Sequence, residues 1–372
     1  MGQDWPLVLS DEEKKELPIG LLREWWMAST QALVDTVGTS EALRLLAPGF
    51  RHHGRSGCHI LARFMGLKEE EISTFAPLEC FAETIISGSP AHVELHEDGV
   101  IWTIEDCKTA GQCKEVCLSF CYDRGVGMVM EFVQGMEFHL HESLSQGDLR
   151  CLASIGKSGE GLSTGRLIQM YLPESLGLSR QDWDFWSRAI LGENWAIVTR
   201  TAVEALGKEK ATAMFEPYMH QSGISLGLRM KWNAGRATAQ EKALEAIAMV
   251  QSCLGMEGID EISGPFSGEI SMCPFSGTPT EICEQFEVFL GGLCEAVDSD
   301  LEFAYDRMMT KGDKTCHWTI RKKGEVMKEK TKEEVATDDP ARILALRYAK
   351  GEISKEELQE RMDKLKELGL VR

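Results

Sequence analysis

No stretch of this chain approaches the roughly 18 consecutive apolar residues that a membrane-spanning helix requires. Its beginning, Met1-Gly2-Gln3-Asp4-Trp5-Pro6, lacks the basic-then-apolar pattern of a secretory signal. It also lacks the Ser or Thr that N-myristoylation of Gly2 would want where Pro6 stands. Positive charge is scarce: 40 Lys and Arg face 59 Asp and Glu, for a formal net charge of -19. The one basic cluster, Arg321-Lys322-Lys323, is diluted at once by Glu325, Glu329, Glu333 and Glu334. Phosphate binding draws on clustered Lys and Arg, so nucleic acid is excluded as a partner. What is present is a chain of 372 residues, 43% hydrophobic and 27% charged, a globular composition too long for one ordinary core. Twelve cysteines without an export signal imply a reducing, cytoplasmic setting, where thiols are free, metal-bound or reactive.

Residues 1–18 read as an exposed lead-in ended by Pro18. Leu21, Leu22, Trp25, Trp26, Ala32 and Leu33 recur at helical spacing up to Gly38. A second helix follows from Thr39 or Ser40 and is expected to stop at Pro48-Gly49, with further helix between Cys58 and Ile86. The period then shortens towards two. Val93–Leu95 and Val100–Ile104 flank Asp98-Gly99, a hairpin signal. A helix over about Gly111–Tyr122 and two closing strands, Met136–Leu144 and Leu149–Ile155, complete an α+β unit.

That unit recurs. Gly38, Ala42, Pro48 and Gly54 reappear as Gly207, Ala211, Pro217 and Gly223, each displaced by 169 positions. Cys107, Cys117 and Cys151 answer to Cys273, Cys283 and Cys316, and the closing hairpins share a Gly-Asp-x-x-Cys run at Gly147–Cys151 and Gly312–Cys316. The expected organisation is a lead-in (1–18), a first α+β repeat (19–156), a Gly-rich linker (157–182), a second repeat (183–323), a charged linker (324–338) and a helical hairpin (339–368). The hairpin, with Asp339-Pro340 opening one helix and the Ser354–Glu357 capping box the next, resembles the SHOCT-type short C-terminal domain of prokaryotic proteins. That resemblance implies oligomerisation or contact with a protein partner.

Three groups of residues could carry chemistry. In the closing hairpins, a two-residue turn between Ser145 and Asp148 would set Cys151 opposite Glu142 on the buried face, and Cys316 similarly beside Trp318 and Ile320, so packing is the favoured role of both thiols. Cys113, Cys117 and Cys121 lie at i, i+4 and i+8, one stripe of a helix, and are the candidate ligands of a metal or iron-sulfur centre, with Cys107 as helper; the competing reading is an apolar stripe. In the second repeat Glu287 replaces Cys121 and Cys294 replaces Met128, so the two units differ chemically here. His139 and His141 share a strand face with Glu137, either a metal-type face or a solvated one, and Arg51-His52-His53-Gly54 reads as a candidate anion-binding turn.

Taken together, a cysteine after a strand, a helix with a second cysteine and an acidic residue near its end, and a hairpin closed by Gly-Asp-x-x-Cys make the repeats similar to the L-2-amino-thiazoline-4-carboxylic acid hydrolase family. The second repeat carries the pattern in Cys273, Cys294, Asp298, Gly312, Asp313, Cys316 and Trp318; the first in Cys107, Cys121 or Met128, Asp123, Gly147, Asp148 and Cys151. The resemblance implies hydrolysis of a small cyclic C–N bond by a cysteine, with Cys294 as nucleophile, Asp298 orienting a partner, Cys273 as a further catalytic residue, and no cofactor required. The layout is also similar to vinyl-reductase-type small-ligand domains. That implies a non-enzymatic binding or sensor protein whose two repeats enclose a cavity lined by Met128, Met130, Met136 and Met230. A third reading is an accessory or assembly protein for a metal centre held by Cys113, Cys117 and Cys121.

Overall fold

The computed structural model describes residues 10–68, 71–110, 114–132, 135–157, 165–230, 237–257, 266–325 and 359. The chain divides into two compact units, Met1–Lys323 and Gly324–Arg372. The expected charged linker and SHOCT-type hairpin fall in the second unit and, apart from Gly324, Glu325 and Gln359, lie outside the described residues.

The first unit is α+β. It opens with α1 (Asp11–Val37), α2 (Thr39–Phe64) and α3 (Ile72–Ser87), followed by β1 (His92–His96), β2 (Gly99–Ile104), α4 (Lys114–Phe132), β3 (Met136–Glu142), β4 (Cys151–Lys157) and β5 (Leu167–Tyr171). Three helices follow again, α5 (Arg180–Leu206), α6 (Lys208–Arg229) and α7 (Ala239–Cys253), then β6 (Ser267–Ile270), α8 (Thr280–Val297), β7 (Leu301–Arg307) and β8 (Cys316–Lys322). One antiparallel sheet has the order β3-β4-β2-β1-β5 and the other β6-β8-β7.

Local chemistry sets the ends of several elements. Ser10 and Glu13 form a reciprocal capping box (3.1 and 2.8 Å), so α1 begins inside the expected lead-in and continues through Pro18. Ser179 and Asp182 do the same for α5. Gly38 (φ 83°) and Gly207 (φ 80°) turn the chain from α1 into α2 and from α5 into α6, a backbone conformation open to glycine and costly to other residues. The helix expected to stop at Pro48-Gly49 instead continues to Phe64. Packing overrides the local signal here: a methyl group on Gly49 would lie 2.6 Å from Cγ2 of Ile197, so the glycine seats α2 on α5.

Two helix pairs, α2 with α4 and α6 with α8, approach backbone to backbone. A β-carbon on Gly54 would stand 2.2 Å from the Arg124 carbonyl oxygen, and one on Gly127 2.2 Å from that of Arg51. In the second pair Gly223 faces the Phe289 carbonyl (2.0 Å) and Gly292 that of His220 (2.2 Å). The helices then bury the inner face of each sheet. In the larger sheet the register aligns Val93, Trp102, Ala153, Val100, Ile155 and Phe138, all buried. In the smaller one it aligns Cys316 with Ile270 and Phe303 with Ile320.

The described residues of the first unit bury one hydrophobic cluster drawn from both halves. Trp25 of α1 packs on Trp195 of α5 (5.1 Å between centroids) and on Phe289 of α8 (4.7 Å). The Trp195 indole nitrogen donates to Ser29 Oγ (3.1 Å) and Gln285 Oε1 (2.9 Å), and Gln285 Nε2 donates to Thr199 Oγ1 (2.9 Å), a buried polar knot tying α1, α5 and α8 together. The stretch 157–182, expected as a linker, contains β5, which completes the hydrogen bonding of β1; the Gly165 amide beside it donates to the Asp98 carboxylate (3.0 Å).

Candidate ligand site

The closing hairpins explain themselves first. Each connects its strands through a 3₁₀ turn, Leu144–Gln146 and Met309–Lys311, ended by a glycine in the left-handed region (Gly147, φ 99°; Gly312, φ 97°). The following aspartate then accepts a turn amide: Ser143 N donates to Asp148 Oδ2 (2.7 Å), and Met308 N donates to Asp313 Oδ2 (2.9 Å). The cysteine accepts the next one, Leu144 N to Cys151 Sγ (3.4 Å) and Met309 N to Cys316 Sγ (3.3 Å). Gly-Asp-x-x-Cys is therefore a turn-closing device. Because the turn is longer than two residues and a bulge falls between Leu140 and Glu142, Glu142 pairs with Leu152, and Cys151 pairs with Ile104 on the other side; the register expected from a two-residue turn is corrected.

Behind each hairpin the thiols gather. In the first half Cys107 stands in the loop after β2, and Cys117 and Cys121 lie one turn apart on α4. Cys107 Sγ also lies 2.9 Å from Thr109 Oγ1. The Cys117 thiol, then burial, push the Cys107 thiol far up from its ordinary pKa. For Cys117 the influence of Cys107 acts downward, but that of Cys121 and burial outweigh it. In the second half Cys273 follows β6, Cys283 lies on α8 and Cys316 opens β8, and Glu287 of α8 accepts the Tyr305 amide (3.0 Å). Burial pushes Cys273 up to about 12 and Cys283 up to about 11.

The proposed catalytic residues do not converge. Cys294 is fully buried in α8, and burial pushes its thiol up to about 12. Asp298 is the C-cap residue of the same helix, and its carboxylate accepts the Asp300 amide (2.9 Å), a turn contact directed away from chemistry. Cys273 alone borders an opening, an enclosed cavity of about 20 Å³ lined by Trp25, Trp195, Met256, Cys273, Phe275, Cys283, Tyr305, Met308 and Cys316 among others. A volume of that order holds about one water, but water needs two to four polar partners and this lining is apolar or sulfurous. Of the methionines expected to line a cavity, Met128 and Met230 are buried elsewhere, Met130 is 72% exposed and Met136 lines neither opening; Met256 and Met308 line the small one.

A larger opening belongs to the first half. A groove of about 420 Å³ runs between α2, α4 and the edge of β3, lined by Leu43, Leu118, Ser119, Tyr122, Leu140, His141, Glu142, Ser143 and Gln146. Its polar groups are held in place from outside it. His141 Nε2 meets Ser154 Oγ (2.7 Å), Ser119 donates to Asp123 (2.8 Å), and Glu142 accepts from Arg150 (3.0 Å). Burial, then the neighbouring His139, lower the His141 pKa, so the ring is neutral at neutral pH. His139 and His141 stack at 6.1 Å but point to different partners, with Glu137 3.8 Å from His139.

Below the groove lies a charged cluster that periodicity alone did not expose. Arg124 of α4 is buried against Glu79 (3.4 Å) and Glu83 of α3, and Arg51 pairs with Asp123 (2.8 Å). Glu79 and Glu83, one turn apart on an otherwise apolar helix, were the available signal. Arg51-His52-His53-Gly54, read as a turn, is a stretch of α2. Burial first, then Arg124, lower the His53 pKa to about 3. Cys113 lies outside the described residues; among those described, no group of three or more His, Cys, Asp or Glu side chains is arranged to hold a metal ion, and no helix is long and apolar enough to cross a membrane. Set against family models, curated proteins and solved structures, the chain finds no match.

Proposed function

We propose that the chain is a small-molecule-binding protein whose site is the groove of its first half. The observation that carries this reading is the groove itself: about 420 Å³ falls within the roughly 300–1,000 Å³ of small-ligand sites, and it combines leucine walls with a few immobilised polar groups. Leu43, Leu118 and Leu140 supply apolar contact, while His141, Tyr122 and Ser119 supply hydrogen bonds from fixed positions. Glu142, which already accepts from Arg150, disfavours a free anion beside it, so the ligand class is a neutral or weakly cationic molecule with an aromatic or aliphatic body.

Cysteine-dependent hydrolysis of a cyclic C–N bond, the activity the sequence resemblance implies, draws less support. A nucleophilic thiol needs a lowered pKa and access. Every cysteine with a resolved shift is raised, and Cys294 borders neither opening.

Saturation-transfer NMR on the full chain with indole and benzamidine as probes tests the proposal. Binding is expected in the native chain, lost in Leu118→Trp, which fills the groove, and kept in Met256→Leu at the enclosed cavity. Binding that survives Leu118→Trp would remove the groove from the function. Turnover of L-2-amino-thiazoline-4-carboxylate that disappears in Cys294→Ala would install the hydrolase reading in its place.

A further inference from the structure

The large sheet has β3 beside the groove and β5 at its opposite edge, and a second polar device sits where the chain enters β5. Gly165 is held there by both of its backbone groups. Its amide donates to the Asp98 carboxylate (3.0 and 3.1 Å), and its carbonyl oxygen lies 2.9 Å from His96 Nδ1. The other ring nitrogen, Nε2, lies 2.9 Å from Glu94 Oε2. The fit is close: a β-carbon on Gly165 would stand 2.5 Å from Asp98 Oδ1. A carbonyl oxygen and a carboxylate oxygen only accept hydrogen bonds, whereas a neutral imidazole carries a single N–H and donates one. Both bonds at once therefore require the doubly protonated ring. With 12% of its side chain exposed, His96 cannot readily trade either bond for water.

We infer that His96 is a pH-operated latch that fastens the start of β5 to the β1–β2 hairpin as imidazolium and lets Gly165 go on losing its proton. The charged groups around the ring are Glu94 of its own strand, Glu97 and Asp98 of the turn, and Arg166 next to β5, which is paired with Glu97 (3.2 Å). Three carboxylates against one guanidinium favour the cation. Burial acts to lower the His96 pKa, but the Gly165 carbonyl, Glu94 and Asp98 outweigh it and hold it above the ordinary 6.5. The latched chain thus binds the proton more tightly than the released one. Latching is complete below pH 6.5, weakens as pH rises through the higher folded value, and contributes nothing beyond it. What the latch controls is the edge of the sheet. β5 covers β1 while its own Leu167, Ile168 and Met170 are exposed, so release bares backbone groups of β1 that an incoming strand can pair with.

Two measurements on the full chain test this. NMR titration of the histidine ring carbons in the native protein, with His96 assigned by the signal missing from His96→Gln, should place its midpoint above 6.5. Hydrogen exchange then follows the Gly165 and Glu97 amides, which donate to Asp98 and to the Arg166 carbonyl (3.1 Å), each rate divided by that amide's intrinsic rate. Their protection should fall about tenfold for each unit by which the His96 midpoint exceeds its ordinary value, while amides paired between β3 and β4 keep theirs. In Glu94→Gln the new amide can donate to a neutral Nε2, so the His96 midpoint should drop and the exchange profile flatten. A His96 midpoint at or below 6.5, native protection that does not change with pH, or an equal change in His96→Gln would each overturn the inference.

Discussion

Two adjacent glycines of α8 should respond oppositely to the same substitution. A β-carbon on Gly291 meets nothing within 4 Å, whereas one on Gly292 would lie 2.2 Å from the His220 carbonyl oxygen. At Gly291 the added methyl group only restricts the unfolded chain and improves helix propensity, stabilising the protein by about 0.5–1 kcal/mol. At Gly292 the same gain is overwhelmed. An ordinary carbon–oxygen contact is about 3.4 Å, so α6 and α8 must separate by about 1 Å, and both are helices whose backbones the packing already holds. Overpacking of this kind costs about 1–3 kcal/mol, and the separation also loosens Phe289 and Leu293 beside it. The gain is common to both, so the two variants should differ by the overpacking cost, about 1–3 kcal/mol. Urea unfolding followed by circular dichroism reads this as midpoints displaced to opposite sides of the native one at unchanged slope. Equal displacement of the two midpoints would refute the close-packed crossing of α6 on α8.

Arg124→Met should destabilise the chain by about 3–5 kcal/mol, because it leaves the buried Glu79 and Glu83 uncompensated, and adding Glu83→Gln should recover part of the loss in the same urea assay. His53 should make stability fall with acid: its folded pKa of about 3 lies below the ordinary value near 6.5, so the unfolded chain binds the extra proton, and stability present above pH 6.5 is lost as pH falls towards 3. The upper limit is about 5 kcal/mol, and His53→Gln should flatten the slope across that window without moving the neutral-pH value by a similar amount. Asp313→Ala should cost about 1–2 kcal/mol by leaving the Met308 amide without its acceptor, with Asp148→Ala similar at Ser143; a melting temperature unchanged in both would deny the turn-closing role of the motif.

Much of the architecture was legible because it rests on local rules. Helical spacing from Leu21 to Leu33 marks α1, and Asp98-Gly99 marks the turn between β1 and β2. The recurring Gly54 and Gly223 turn out to be the points where α2 meets α4 and α6 meets α8. Local rules failed where distant chain supplies the deciding contact. Pro48-Gly49 reads as a stop until Ile197 is set against Gly49, and Leu167–Tyr171 reads as linker until the free edge of β1 is beside it.

The candidate site shows the same division more sharply. Residue type and spacing grouped Cys117 and Cys121, which the structure places one turn apart on α4 with Cys107 in the loop after β2. Spacing could not say that Cys294 faces packed interior or that Asp298 spends its carboxylate on a turn, because burial and partner are properties of the whole fold. By itself, then, the sequence determined most of the elements, the α+β class and the thiol-rich loci, since propensity, capping and turn chemistry act over a few residues. Which thiols meet, where the groove opens and which charges are buried were decided only by tertiary structure. Those outcomes depend on the distance between helices, and that distance is set by four glycines pressed against backbone carbonyls far away in the chain.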